Sequence, residues 1–138
     1  MNKNEPILIA CEESGILTGS FIELGFTNVF SCDLLETSGK YPEHHIVGNV
    51  HPILNGNCCF STSDGVKHEI QTEFSLIVAF PPCTYLTVAA NKWLKDQPPR
   101  KSGALVGQAR RDARKEAIKF FMLFANSKCS KVAIENPV

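Results

Sequence analysis

An α/β domain with a mostly parallel sheet is the fold class this sequence predicts, on three observations. Short continuous apolar runs, Ile7-Leu8-Ile9-Ala10-Cys11 first among them, read as strands covered on both faces. Segments with helical spacing or a helix-closing glycine alternate with those runs. Each run also hands over to polar or reactive residues at its carboxyl end: Glu12 and Glu13, Asp33, Asn49, Pro81 to Thr84, and Glu135 with Asn136. Ligands of open parallel sheets bind outside the carboxyl ends of the strands, so these residues are expected to line one cleft.

The elements follow in order. After the first strand, Ser14-Gly15 makes a tight turn into a helix over residues 16–24, closed by Gly25. A second strand over residues 28–32 ends at Asp33, and a weaker third over residues 45–48 ends at Asn49. Residues 52–54 are expected to begin a short helix. Residues 55–65 read as a loop from their Gly, Asn, Asp, Ser and Thr content. The fourth strand covers residues 74–80. Between positions 81 and 107 the prolines Pro81, Pro82, Pro98 and Pro99, with Gly103 and Gly107, break any long helix. A stretch of that length inside a compact domain is usually functional or mobile. A helix over residues 108–126 then places Ala113, Ala117, Phe120, Phe121 and Phe124 on an apolar face, and a fifth strand covers residues 131–134.

The 138 residues suffice for one domain spanning positions 1–138. The 14 basic and 14 acidic side chains cancel, but they are unevenly spread. Between positions 92 and 119 nine basic residues, among them Lys92, Arg100, Lys101, Arg110, Arg111 and Arg114, face only Asp96, Asp112 and Glu116. Such a polarised surface suits phosphate contact, and it reads equally as a solvated helix face. Six cysteines do not signal a secreted scaffold here, because the opening residues are polar and the apolar run after them is too short for a signal peptide. No run approaches the ~18 residues of a membrane span. A cytoplasmic setting is expected, the host cytoplasm for a phage-borne gene, with no membrane partner. Cys11, Cys32 and Cys129 read as small buried hydrophobes. Cys58 and Cys59 with His44, His45, His51 and His68 do not match zinc spacing, so no metal is expected.

Cys83 follows two prolines directly after the fourth apolar run, so a stiff turn presents its thiol. Glu135-Asn136-Pro137 ends the fifth run in the same manner. Taken singly, Cys83 is a nucleophile or a buried hydrophobe, and Glu135 a catalytic or a surface carboxylate. The first turn, from Glu13 to Gly19, lacks the G-x-G-x-x-G fingerprint, which argues against NAD. Asp33 reads equally as an acceptor for ribose hydroxyls and as a turn cap.

In order, Cys11-Glu12-Glu13-Ser14-Gly15, Ser31-Cys32-Asp33-Leu34-Leu35, Gly48-Asn49-Val50, Ala79-Phe80-Pro81-Pro82-Cys83-Thr84-Tyr85-Leu86 and Ile134-Glu135-Asn136-Pro137-Val138 resemble the motifs of cytosine carbon-5 DNA methyltransferases, small phage-type relatives in particular. The resemblance implies a three-layer Rossmann-like methyltransferase fold with S-adenosylmethionine as cofactor and cytosine-containing DNA as partner. It implies that Glu13, Ser14 and Gly15 line the methionine end, Asp33 holds the ribose, Leu34 packs on the adenine and Asn49 faces its edge, with Pro81 in the same cofactor set. It also implies that Cys83 attacks carbon 6 of cytosine while Glu135 holds the ring at N3 and the amino group. Covalent addition splits one hard step into two easier ones, and nearby positive charge favours the thiolate. A base in a duplex must also be flipped out first.

The chain departs from the family pattern in places. Gly15 and Gly19 stand where a tight glycine cluster is usual, and Asn49 where an acid is usual. A Gln-x-Arg-x-Arg motif, a target-recognition region and the last strands are expected after Glu-Asn-Pro and do not follow it; Gln108-Ala109-Arg110-Arg111 precedes Glu135 with different spacing. The expectation is therefore a methyltransferase-like domain with its last strands missing, whose sheet a protein partner or second chain completes. Two alternatives stand beside it: a non-catalytic phage regulatory or counter-defence protein that binds S-adenosylmethionine or nucleic acid, and an enzyme acting on a free cytosine nucleotide.

Overall fold

A computed structural model describes residues 1–136, so Pro137 and Val138, the end of the last motif, lie outside the described residues. The elements in chain order are β1 (Ile7–Ala10), α1 (Ile16–Glu23), β2 (Val29–Asp33), β3 (His45–Val47), β4 (Cys58–Ser61), β5 (Lys67–Ile70), β6 (Leu76–Ala79), α2 (Gly107–Ala125) and β7 (Val132–Ile134). Two 3-10 turns, Pro42–His44 and Val88–Leu94, complete them. Five strands form a parallel sheet in the order β3-β2-β1-β6-β7.

The alternation of side chains along a strand builds the layers. Ile7 and Ile9 pack with Leu17, Phe21 and Phe26 on the α1 side. Leu8 and Ala10 face the opposite way, toward Phe120 and Phe124 of α2 and Phe60 of β4. All four β1 residues are 0% exposed, which explains why this strand reads as an unbroken apolar run rather than an alternation. Burying an Ile or Leu side chain completely is worth about 1.5–3 kcal/mol, so this strand anchors both cores. No helix among the described residues is long and apolar enough to cross a membrane.

Two sequence expectations fail. Within residues 55–65, read as a loop, lies β4, which pairs with β5 in an antiparallel hairpin. Only Cys58 and Phe60 of β4 turn inward, and the Phe60 ring meets Phe30 edge to face at 4.9 Å. Residues 52–54 make consecutive turns rather than a helix, with Ile53 and Leu54 buried in the core. Gly56 ends those turns at φ 66, where a Cβ would collide with the Thr72 carbonyl.

Candidate active site

Strand order reverses between β1 and β6: β2 and β3 lie on one side of β1, β6 and β7 on the other. The crevice at such a reversal is where open α/β sheets take ligands. Two adjoining hollows occupy it. One, of about 360 Å³, is bordered by Glu12, Glu13, Ser14 and Phe80. The other, of about 300 Å³, is bordered by Cys32, Leu34, Gly48, Asn49, Pro82 and Phe120, and Cys11 and Asp33 line both. Glu13, Ser14, Asp33, Leu34 and Asn49 therefore share one cleft. Gly15 sits behind it as the residue capping α1, with φ 67 and ψ 14, a conformation that favours glycine. Pro81 is a correction: it is buried, and the exposed Pro82 forms the wall instead. A larger concavity, about 770 Å³, opens at the amino ends of the strands around Asn28, Glu73 and Lys131, away from Cys83 and Glu135.

The charges of the cleft are set by its hydrogen bonds. Glu12 is 6% exposed, and its carboxylate accepts the N–H groups of Leu17 (2.6 Å) and Thr18 (3.2 Å) and the Thr18 hydroxyl (2.6 Å). The amino end of α1 is thus already neutralised by the chain's own anion. Glu13 accepts the Ser38 N–H at 2.8 Å, which draws residues 37–39 over the turn. Asp33 Oδ1 accepts the Leu35 N–H at 2.9 Å, leaving Oδ2 without a protein hydrogen bond among the described residues. Leu34 beside it is 74% exposed. His45 holds that turn from below, its Nε2 donating to the Leu35 carbonyl (2.9 Å) while Nδ1 accepts the Ser31 hydroxyl (2.8 Å).

Cys32, read from sequence as a small buried hydrophobe, is buried in the core beneath the cleft, whereas Cys11, read the same way, is half-buried on the cleft floor. Cys11 leaves β1 with φ 60, an unusual conformation for a side-chain-bearing residue. Its N–H reaches the Cys32 carbonyl at 2.8 Å. Burial, reinforced by the negative charge of Asp33, pushes the Cys11 thiol up to about 11. Burial, then Cys11 and Asp33, pushes Cys32 up to about 12. Both stay protonated at neutral pH, which makes them poor nucleophiles.

The edge that carries Cys83 and Glu135 adjoins this cleft. β6 and β7 pair in register, Ala79 opposite Ile134, and the Glu135 N–H donates to the Ala79 carbonyl at 2.9 Å. Glu135 therefore leaves the sheet beside the start of the Pro81-Pro82-Cys83 turn. The Cys83 side is half-buried, in a turn closed by the Leu86 N–H on the Cys83 carbonyl at 2.9 Å. Glu135 is exposed, and Asn136 next to it lines a small hollow of about 220 Å³ with Leu86 and Arg114.

Three arginines expected to meet nucleic acid bond to the segment after Cys83. Arg110 is 4% exposed; its guanidinium donates to the carbonyls of Leu105 (3.0 Å) and Thr84 (3.3 Å) and lies 5.2 Å from the Tyr85 ring centre. Buried and bonded in this way, it is not a phosphate contact but a pin on the residues following Cys83. Arg111 donates to the Leu94 carbonyl (2.6 Å) and pairs with Asp96 (3.0 Å), and Arg114 donates to Asn91 (3.1 Å). Together they strap residues 84–105 onto α2. Lys92, Lys101 and part of Arg100 remain on the surface.

Among the described residues no group of three or more His, Cys, Asp or Glu side chains is gathered to hold a metal ion. Compared with known proteins, the chain finds no matching family model, no matching curated protein and no matching solved structure.

Proposed function

We propose that this chain is a methyltransferase-type domain acting on carbon 5 of cytosine, with S-adenosylmethionine as donor and cytosine in nucleic acid as acceptor. The observation carrying the reading is the β6–β7 pairing, which brings the Cys83 turn and Glu135 to one sheet edge beside the cleft bordered by Asp33. That cleft suits the donor. A dinucleotide needs a helix amino end for its pyrophosphate, and here Glu12 occupies that position with negative charge. A cofactor without phosphate, carrying positive sulfonium and ammonium groups, matches Glu13 and Asp33. The second oxygen of Asp33 suits a ribose hydroxyl, and the exposed face of Leu34 suits the adenine.

The bound donor supplies an electrophilic methyl group. In this reading Cys83 Sγ bonds to carbon 6 of the cytosine ring, and Glu135 hydrogen-bonds N3 and the amino group as charge develops there. Carbon 5 thereby becomes nucleophilic and would take the methyl group, the donor leaving as S-adenosylhomocysteine. Loss of the carbon 5 proton to a base would then re-form the ring double bond and expel Cys83 as the thiolate.

The test supplies labelled S-adenosylmethionine with cytosine-containing DNA or with cytidine monophosphate, and measures 5-methylcytosine by mass spectrometry. Transfer to DNA is expected, falling on the order of a thousandfold or more in Cys83→Ala. Transfer that survives Cys83→Ala contradicts the covalent step. Cofactor binding without transfer to any acceptor selects the binding-module alternative, and transfer to the mononucleotide alone selects the nucleotide enzyme.

A further inference from the structure

Two basic residues not engaged by α2, Lys92 and Arg100, lie over one aromatic ring. Trp93 is the only tryptophan in the chain. The guanidinium carbon of Arg100 lies 3.8 Å from its ring centre, and Lys92 Nζ lies 5.0 Å from it. Trp93, Pro98, Pro99, Arg100, Lys101 and Ser102 line an open hollow of about 430 Å³. Among the described residues none of the three cations has an acidic partner, and Asp96, close in sequence, is engaged by Arg111 at 3.0 Å.

Each part of this arrangement recognises something different. Lying over the indole uses none of the guanidinium N–H donors, so a fork suited to phosphate stays available. Lys92 and Lys101 add positive charge around it. The outer face of the Arg100 plane and the two prolines offer flat surface on which a base can stack. Bases inside a duplex have both faces covered by neighbours, so only an unpaired nucleotide can use that surface.

We infer that the Trp93–Arg100 hollow is a nucleic-acid site of its own, taking an unpaired nucleotide with its base stacked on the Arg100–Trp93 layer and its phosphodiester on Arg100, Lys92 and Lys101. This rests on the reading of nucleic acid as the acceptor, and adds to it a site on the same segment that carries Cys83. The ligand class is single-stranded nucleic acid, with no requirement for cytosine at the hollow itself.

The emission of the sole tryptophan reports the site directly. The full chain is titrated with a short single-stranded oligothymidylate, which offers Cys83 no cytosine, and in parallel with the matching thymidine–adenine duplex and with inorganic phosphate. Trp93 emission is expected to change with the single strand, at an affinity at least about fivefold above that for the duplex. Arg100→Gln is expected to weaken single-strand binding at least about fivefold. Lys101→Gln, which leaves the stack intact, is expected to lower the steepness of the salt dependence by about 0.7 in log–log slope. Cys83→Ala is expected to bind oligothymidylate like the parent chain. An unchanged emission, equal affinity for single strand and duplex, or full affinity in Arg100→Gln overturns the site. Methyl transfer to cytosine that persists when the oligothymidylate produces no emission change removes this site and leaves the proposed function standing. An emission change of the expected kind, with no transfer to any cytosine acceptor, does the reverse.

Discussion

The Asp33 side of the cleft and the Cys83 segment are neighbours built by opposite means. The first consists of strand ends: β1 is wholly buried, main-chain bonds tie Cys11 to Cys32, and the Glu12 carboxylate fixes the start of α1. The second, residues 81–106, contains only the 3-10 turn Val88–Leu94 and is held by long side chains of α2 on main-chain carbonyls. The Asp33 side is therefore tied into the sheet itself, whereas the Cys83 segment is held by side chains and can be released locally. One fold thus combines a cleft built on strand ends with a cysteine on a separable strap.

The sharpest way to break this contrast is Arg110→Ala. The substitution removes two charge-assisted hydrogen bonds and the contact with Tyr85, an expected loss of about 2–4 kcal/mol borne mainly by residues 84–105. Hydrogen exchange should show faster amides there while β1 stays protected; equal loss in β1 would mean that the segment and the sheet are one unit. A smaller effect is expected from Glu12→Gln, which removes the buried negative charge at the amino end of α1 and costs about 1–2 kcal/mol. The denaturation midpoint should fall, with exchange rising first in α1 and not in residues 84–105.

A pH dependence specific to the cleft floor is a further expectation. Cys11 and Cys32 have folded-state values of about 11 and about 12, above the ordinary 9.0. Groups raised in this way contribute stability that is full below the ordinary value and is lost as pH rises through the folded ones. The thermal midpoint should therefore decline between about pH 9 and 12, and more steeply in the parent chain than in a Cys11→Ala/Cys32→Ala double variant. Parallel curves for the two proteins would show that these thiols are not buried beside Asp33.

The contrast also decides what was legible in the sequence. Strands buried on both faces advertise themselves as apolar runs, and the residues after them must sit at the carboxyl edge, so Glu13, Asp33, Asn49, Cys83 and Glu135 fall into place along one edge. The hairpin was hidden because β4 turns only Cys58 and Phe60 inward among polar neighbours. Cys11 looked like core packing because its φ of 60 has no signature in residue type. Arg110 of α2 misled for a related reason. Charge counting treats a basic helix face as surface, yet an arginine reaches far enough to bury its head against carbonyls of another segment, as Arg110 does. The exchange of Pro81 for Pro82 at the cleft wall depends on the path of one turn, which a Pro-Pro pair does not specify.

The most direct test of the proposed chemistry uses S-adenosylmethionine with a single-stranded oligonucleotide whose target cytosine carries fluorine at carbon 5. Fluorine replaces the proton that must leave before Cys83 is expelled, so the bond between Sγ and carbon 6 should persist. Intact-protein mass spectrometry should then find a methylated oligonucleotide attached to the chain, mapped after digestion to the peptide containing Cys83 and absent from Cys83→Ser. Methylation of ordinary cytosine with no such adduct, or an adduct on another cysteine, would contradict the role assigned to Cys83.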